Sequence, residues 1–353
     1  MQNEPQPWEF RSKPAWQRLI VMIGGVVMNV ILAYFIYTGL LISQGEQYIS
    51  TAEVNKYGIM TDSLARELGF RDGDKILSVD GQYIEKFYDI PMTMILEKPE
   101  FVMVERNGEV MSLQMPEDAT SKLINHKNML FSHRTPFVIG DFVAGSLAKE
   151  AGMIKGDKVI KVGEKYTPYY NEFVEEISKY ADKEVVVSVV RENDTLPFTM
   201  KLSKDAKLGV YAANNIEYET QNYTFFEAIP KGFNKTGKEL SDYWKQLKLV
   251  VNPSNKAYEN LGGFITIGSI FPDTFNWIVF WRMTAFLSII LAVMNILPIP
   301  ALDGGHVLFL LFEIITRRKP SDKFMTIAQT VGLFILFFLL IYANGNDIVR
   351  LFR

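Results

Sequence analysis

The chain has 353 residues, enough for two or three domains, and a formal net charge of −3 that gives nucleic acid no footing. It contains no cysteine, which excludes disulfides and thiol chemistry but is compatible with an oxidising compartment. Hydrophobic residues make up 48% of the chain, and that average hides three strongly apolar stretches flanking a long polar middle.

The first apolar stretch runs from Leu19 to Ile42, with Asn29 its main polar interruption. It meets the roughly 20 residues a spanning helix needs. It is too long for the apolar region of a signal peptide and lacks a small-residue cleavage site at its end, so it reads as a retained transmembrane helix. Residues 1–44 form this N-terminal segment.

Two similar units follow. Ser63-Leu-Ala-Arg-Glu-Leu-Gly69-Phe-Arg-Asp-Gly73-Asp74 recurs 83 residues later as Ser146-Leu-Ala-Lys-Glu-Ala-Gly152-Met-Ile-Lys-Gly156-Asp157. The spacing is that of a duplicated small domain, since solenoid repeats are shorter. Each copy predicts a short helix closed by glycine, a Gly-Asp turn, and a strand over Lys75–Val79 or Lys158–Val162. The domains are set at 45–120 and 130–208. His126 and His133 fall in a polar stretch and read as surface-loop residues.

Residues 223–275 form a juxtamembrane region. Ala228, Ile229, Phe233, Leu240, Trp244, Leu247 and Val251 recur near helical spacing, with lysines between them. This pattern predicts an amphipathic helix on the membrane surface, or else a globular helix packed on the paired domains.

Residues 276–353 are the C-terminal membrane region. Its first apolar stretch, Trp277 to Leu302, ends in Asn295-Ile-Leu-Pro-Ile-Pro-Ala-Leu-Asp303-Gly-Gly-His306. Pro298 and Pro300 forbid a continuous helix, because proline lacks the amide donor and clashes with the preceding turn. Irregular backbone at membrane depth persists only where it packs in protein or lines a cavity. A carboxylate there is costly and marks a functional site by default. A further stretch, Phe324 to Tyr342, supplies a third span. Arg11, Lys13 and Arg18 precede the first span, and Arg317, Arg318, Lys319 and Lys323 separate the other two. The positive-inside rule puts both groups in the cytoplasm and the duplicated domains outside. The fold class is therefore a membrane protein, an α-helical transmembrane bundle of three spans with two inserted α+β domains.

The Ser-x-Ala…Gly-x-x-x-Gly-Asp signature resembles the circularly permuted PDZ domain of bacteria. That resemblance implies peptide binding by strand addition, with Phe137-Val138-Ile139-Gly140-Asp141 as the loop candidate in the second copy. The two domains could equally act only as packing that restricts access to the membrane site. The Asn295–His306 segment, together with Trp16-Gln-Arg…Gly24-Gly25…Asn29, resembles the site-2 proteases, zinc-dependent intramembrane proteases. The closest likeness is to the bacterial branch with periplasmic PDZ domains that cleaves anti-sigma factors. The resemblance implies that Asp303 is a ligand to Zn2+ and that Asn295 supports substrate or transition state. It implies an inner-membrane protein acting on single-span membrane substrates, with no nucleic-acid partner. The family's His-Glu-x-x-His helix is not in these 353 residues, whose three histidines are His126, His133 and His306. The resemblance thus implies a chain that starts inside a longer protein, is inactive alone, and takes its two other zinc ligands from a preceding segment. A non-catalytic, membrane-anchored PDZ adaptor is the alternative, and a transporter with a broken helix ranks last because no inverted repeat of that helix is present.

Overall fold

The computed structural model describes residues 6, 8–213 and 216–352. The chain divides into two compact units, Gln47–Glu219 and a helical unit made of residues up to Glu46 together with Thr220 onward.

Three helices of the helical unit are long and apolar enough to cross a membrane. They are Ala15–Gln44, Trp277–Ile296 and Asp322–Leu351. The first and third outrun their apolar stretches at both ends, because polar residues such as Gln44 and Asn344 continue a helix without contributing apolar surface. The second is shorter than its stretch. It ends at Ile296, Leu297 turns to an extended conformation, and a new helix begins at Asp303 and runs to Thr316. The proline break lies where the sequence predicts it.

The first span packs against the second. Ala33 and Tyr37 form a small buried core with Ala285 and Ile289. The helix Phe225–Val251, started by a capping box between Thr224 and Glu227, lies along this pair. Leu240 and Tyr243 pack on the Ala33–Ile289 core, and Tyr243 meets Phe286 edge-on at 6.4 Å. Lys235 reaches Glu46 at 2.9 Å. Gly232 lies so close to Thr38 that a Cβ there would collide with its hydroxyl. The amphipathic pattern was read as a helix on the membrane surface or on the soluble domains; in the structure its buried face belongs to the spans.

In Gln47–Glu219 the sequence repeat becomes a structural repeat. The first copy has a sheet of Lys75–Val79, Phe101–Arg106 and Glu109–Gln114. The second has Asp194–Lys201, Glu184–Arg191, Lys158–Val162 and Lys165–Tyr166. Each copy adds a short antiparallel pair, Ile59–Thr61 with Phe131–His133 and Ile139–Phe142 with Val210–Ala212. The two pairs correspond at one end, and the second alone has a register shift, between Tyr211 and Ala212. Arg134 N–H donates to Gly58 O as Ala213 N–H does to Val138 O. Ile59 and Ile139 each donate to the carbonyl of the Gly-Asp aspartate, Asp74 or Asp157, at 2.9 Å. The cores are separate: Phe70, Ile76, Phe87 and Val102 fill one, and Phe137, Val159, Val187 and Val189 fill the other. The first core runs on through Leu130 and Phe131, past residue 120.

The twin Gly-Asp turns explain the signature. Gly69 and Gly152 both sit at φ +98°, and Gly73 and Gly156 at +90° and +94°, where a side chain is strained. Asp74 and Asp157 are 0% and 1% exposed. Asp74 accepts two bonds from Arg106, both 2.7 Å, and Asp157 two from Arg191, both 2.8 Å. Each also accepts a backbone N–H of its own turn, from Arg71 or Ile154. A buried charge is tolerable only when paired and hydrogen-bonded in this way.

The histidines read as surface-loop residues are engaged in the first copy. His126 follows the helix Ala119–Asn125 and pairs with Asp62, whose other oxygen caps the helix Ser63–Glu67. His133 ends a strand, with Nδ1 3.1 Å from the Tyr88 hydroxyl, and burial pushes its pKa down.

Candidate functional site

The site is built where the second span stops. Asn295 lies half-buried in the last turn of that helix. Ile299 N–H donates to Leu297 O at 2.7 Å and Leu302 N–H to Ile299 O at 2.8 Å, so the proline segment folds as two tight turns. Asp303 then opens the next helix, its carboxylate in the first turn. A negative charge there is favoured by the helix dipole and the free N–H groups.

Three glycines bring other backbone against this point, and a fourth stands beside the carboxylate. A Cβ on Gly304 would collide with the Leu297 carbonyl, and one on Gly305 with Pro300. A Cβ on Gly332 of the third span would stand 2.7 Å from Ala301 N, so that span lies directly on the proline turn. On the first span, the Cβ position of Gly25 is 3.9 Å from Asp303 Oδ2, and that of Gly24 faces open space. Arg18, at the start of the first span, reaches Glu313 of the Asp303 helix at 2.6 Å, both side chains 14% exposed. This pair and the glycine contact fix the Asp303 helix to the first span.

Among the described residues, the side chains of Asn295 and Asp303 have no hydrogen-bond or ion-pair partner. Asn295 and Asp303 lie at the two ends of the break, and the carboxylate points toward the glycine step of the first span. His306, one turn past Asp303, is directed elsewhere: its Nε2 lies 3.4 Å from the amide nitrogen of Gln329 on the third span. No group of three His, Cys, Asp or Glu side chains among the described residues could hold a metal ion. A catalytic zinc takes three protein donors. The described residues offer one at this point and do not by themselves form a zinc site.

The sequence that builds this arrangement is matched by a known family. The model of peptidase family M50 matches residues 1–339. The chain belongs to peptidase family M50, the site-2 proteases. Its relatives include the regulator of sigma E protease of Haemophilus influenzae, 26% identical, with 99% of this chain and 83% of that protein covered. Two others bear the name "Putative zinc metalloprotease". One is from Vibrio cholerae, 25% identical over 99% of this chain and 82% of that protein. The other is from Xylella fastidiosa, 25% identical over 96% and 80%.

The second candidate region is the loop Val138-Ile139-Gly140. The structure places it inside the second copy. Ile139 is 1% exposed; its N–H donates to Asp157 O at 2.9 Å and its carbonyl accepts from Gly156 at 2.8 Å. The Val138 carbonyl accepts from Ala213, and a Cβ on Gly140 would stand 2.9 Å from Ala213 backbone. These residues have spent backbone groups on both sides and present no open edge. The open edge belongs to their partner, Val210–Ala212, which pairs with Ile139–Phe142 alone. Its register alternates Gly209, Tyr211 and Ala213 toward that strand, and so turns the N–H and C=O of Val210 and Ala212 outward. Phe131–His133 holds the equivalent place in the first copy.

The sequence analysis did not single out Gly332, Gln329 or the Arg18–Glu313 pair. A lone glycine in the long apolar third stretch was the one available signal for close backbone approach.

Proposed function

We propose that this chain is the part of a site-2-type intramembrane zinc protease that carries Asp303 as one metal donor and Asn295 as a partner for substrate backbone. The observation that carries the reading is the Asp303 carboxylate, unpaired at a helix start, held at a proline break in a span and facing the glycine step of another. An unwound substrate helix needs hydrogen-bond partners for its freed backbone groups, which an intramembrane amide supplies. Among the described residues no second or third ligand stands near Asp303, so on this reading the other metal donors come from beyond them. The substrates are single-span membrane proteins, with an anti-sigma factor as the type suggested by the relative named for sigma E regulation. The two copies in Gln47–Glu219 are PDZ-like modules facing the periplasm. Their peptide-accepting edges are Val210–Ala212 and Phe131–His133, where outward backbone groups can take an added strand.

The test is cleavage of a co-expressed single-span reporter by a form of the protein that carries a His-Glu-x-x-His helix. Asp303→Asn keeps the shape but removes the charge, and it should abolish cleavage while membrane insertion is unchanged. Asn295→Ala should reduce cleavage by less. Near-normal cleavage by Asp303→Asn would sink the assignment. That the described residues hold no group of metal ligands is also compatible with a second reading, a membrane-anchored adaptor without catalysis. Zinc content separates parts of the two: these 353 residues expressed alone should purify without stoichiometric zinc, and chelator-resistant zinc at one per chain would show that a ligand set has been missed.

A further inference from the structure

The C-terminal end of the third span turns a row of polar side chains onto one loop. Asp347 is 2% exposed, and its Oδ2 accepts the N–H of Gly263 at 2.9 Å and of Thr266 at 3.0 Å. Its other oxygen accepts the Thr266 hydroxyl. Asn344, one turn earlier, accepts the Phe264 N–H at 3.2 Å, and Arg350, one turn later, donates to Glu259 O at 3.0 Å. Asn346 donates to Leu261 O at 3.4 Å. Positions 344, 347 and 350 share a helical face. The loop lies flat against them: a Cβ on Gly263 would stand 2.6 Å from Asn344 Oδ1 and 2.9 Å from its Cα.

The same helix touches the proline turn at Gly332, against Ala301. At about 1.5 Å per residue, Gly332 and Asp347 are roughly 22 Å apart along the helix axis. The stretch from Gly263 to Ala301 contains the whole second span. The third span therefore meets the chain on both sides of it, at Gly263–Thr266 ahead of Trp277 and at Ala301 after Ile296.

We infer that the third span is a splint for the second and that Asp347 is its latch, a positioning residue for the break that holds Asn295 and Asp303. The carboxylate is satisfied by three donors from one loop, which is what a buried charge requires. The latch holds the chain ahead of the second span and the Gly332 contact holds the turn behind it, so loosening the first should be felt at the second. The inference stands on contacts alone and holds whether or not the chain cleaves anything.

The test is hydrogen exchange by mass spectrometry on the full chain in lipid nanodiscs. In Asp347→Ala the amides of residues 259–270 should exchange about ten-fold faster or more, as expected when charge-assisted bonds are lost. Residues 297–303 should accelerate measurably in the same variant. Asp347→Asn keeps the shape and an acceptor, and should restore most of the protection. Peptides from 184–201 should be unchanged. The latch is overturned if residues 259–270 exchange as in wild type, or if Asp347→Asn is as fast as Asp347→Ala. The splint is overturned if residues 297–303 do not respond. Acceleration in 184–201 as well would mean general unfolding and would count against both.

Discussion

Removing the carboxylate of Asp74 should unlatch the first copy of the repeat. Asp74 is fully buried, with a side chain at 0% exposure against 25% for Arg106. It accepts two bonds from that guanidinium and one from the Arg71 N–H, while Arg106 also donates to Gly69 O at 2.8 Å. In Asp74→Ala the guanidinium keeps its charge but loses its counter-charge, and a turn amide is orphaned. Breaking a buried pair by removing one partner costs about 3–5 kcal/mol. Arg106 is partly exposed and can turn toward water, so the lower end applies, ~3 kcal/mol. Arg106→Met should cost as much or more, because the carboxylate it strands has no route to solvent. The double variant should lose at least ~1 kcal/mol less than the sum of the singles, since the two groups act as a pair. Hydrogen exchange at the core amides of Val102 and Val104, measured in the full chain, reports the opening free energy of this copy. The second copy serves as the internal reference. A loss below ~1 kcal/mol, or strict additivity in the double variant, would refute the view that the pair anchors the turn.

Acid should weaken the second copy through Asp157. The hydrogen bonds from Arg191 hold its carboxyl below the ordinary value of 3.8, against the opposing effect of burial. A depressed folded-state pKa means that its stabilisation is complete above the unfolded value, near pH 4, and is lost as pH falls through the lower folded value. Protection at Val187 and Val189 should therefore fall with pH in that window, and Arg191→Gln should flatten the profile; identical acid profiles would refute the assignment. Topology is checked by reporter fusions, which should appear outside the cytoplasm at residue 120 and inside at residue 320; the reverse at either site would overturn the orientation drawn from the basic loops.

Features carried by local chemistry were legible in the sequence. The proline break ends its helix at Ile296 because proline acts on its own turn, whatever the tertiary context. The repeat was legible because glycine at positive φ and a buried Asp constrain individual positions. The short strand pairs were not. Ile59–Thr61 and Phe131–His133 are three residues each, too short to show alternation, and Ile59 pairs with His133 from far along the chain. The same limit explains the loop at Val138–Gly140. Two apolar residues and a glycine fit an open loop or an inner strand equally well, and only the partner strand decides which. Nothing local to Asn344-Gly-Asn-Asp347 says which part of the chain it meets.

Glycine placement shows what the helical unit is built to hold. Lipid gives helices little hydrophobic reason to associate, so close packing rests on small residues that let backbones meet. Here Gly304 and Gly305 let the Asp303 helix fold back on the proline turn. Gly332 brings the third span onto the same turn, and Gly25 leaves the carboxylate facing a bare stretch of the first. Each glycine costs helix propensity, roughly 1 kcal/mol in a helix interior. That cost is concentrated around one acid, and the chain offsets it with the Arg18–Glu313 pair on one side and the Asp347 contacts on the other. Gly304, Gly305 and Gly332 fix the turn that leads into Asp303, and Gly25 leaves room at its carboxylate, so all four belong to the place the acid occupies.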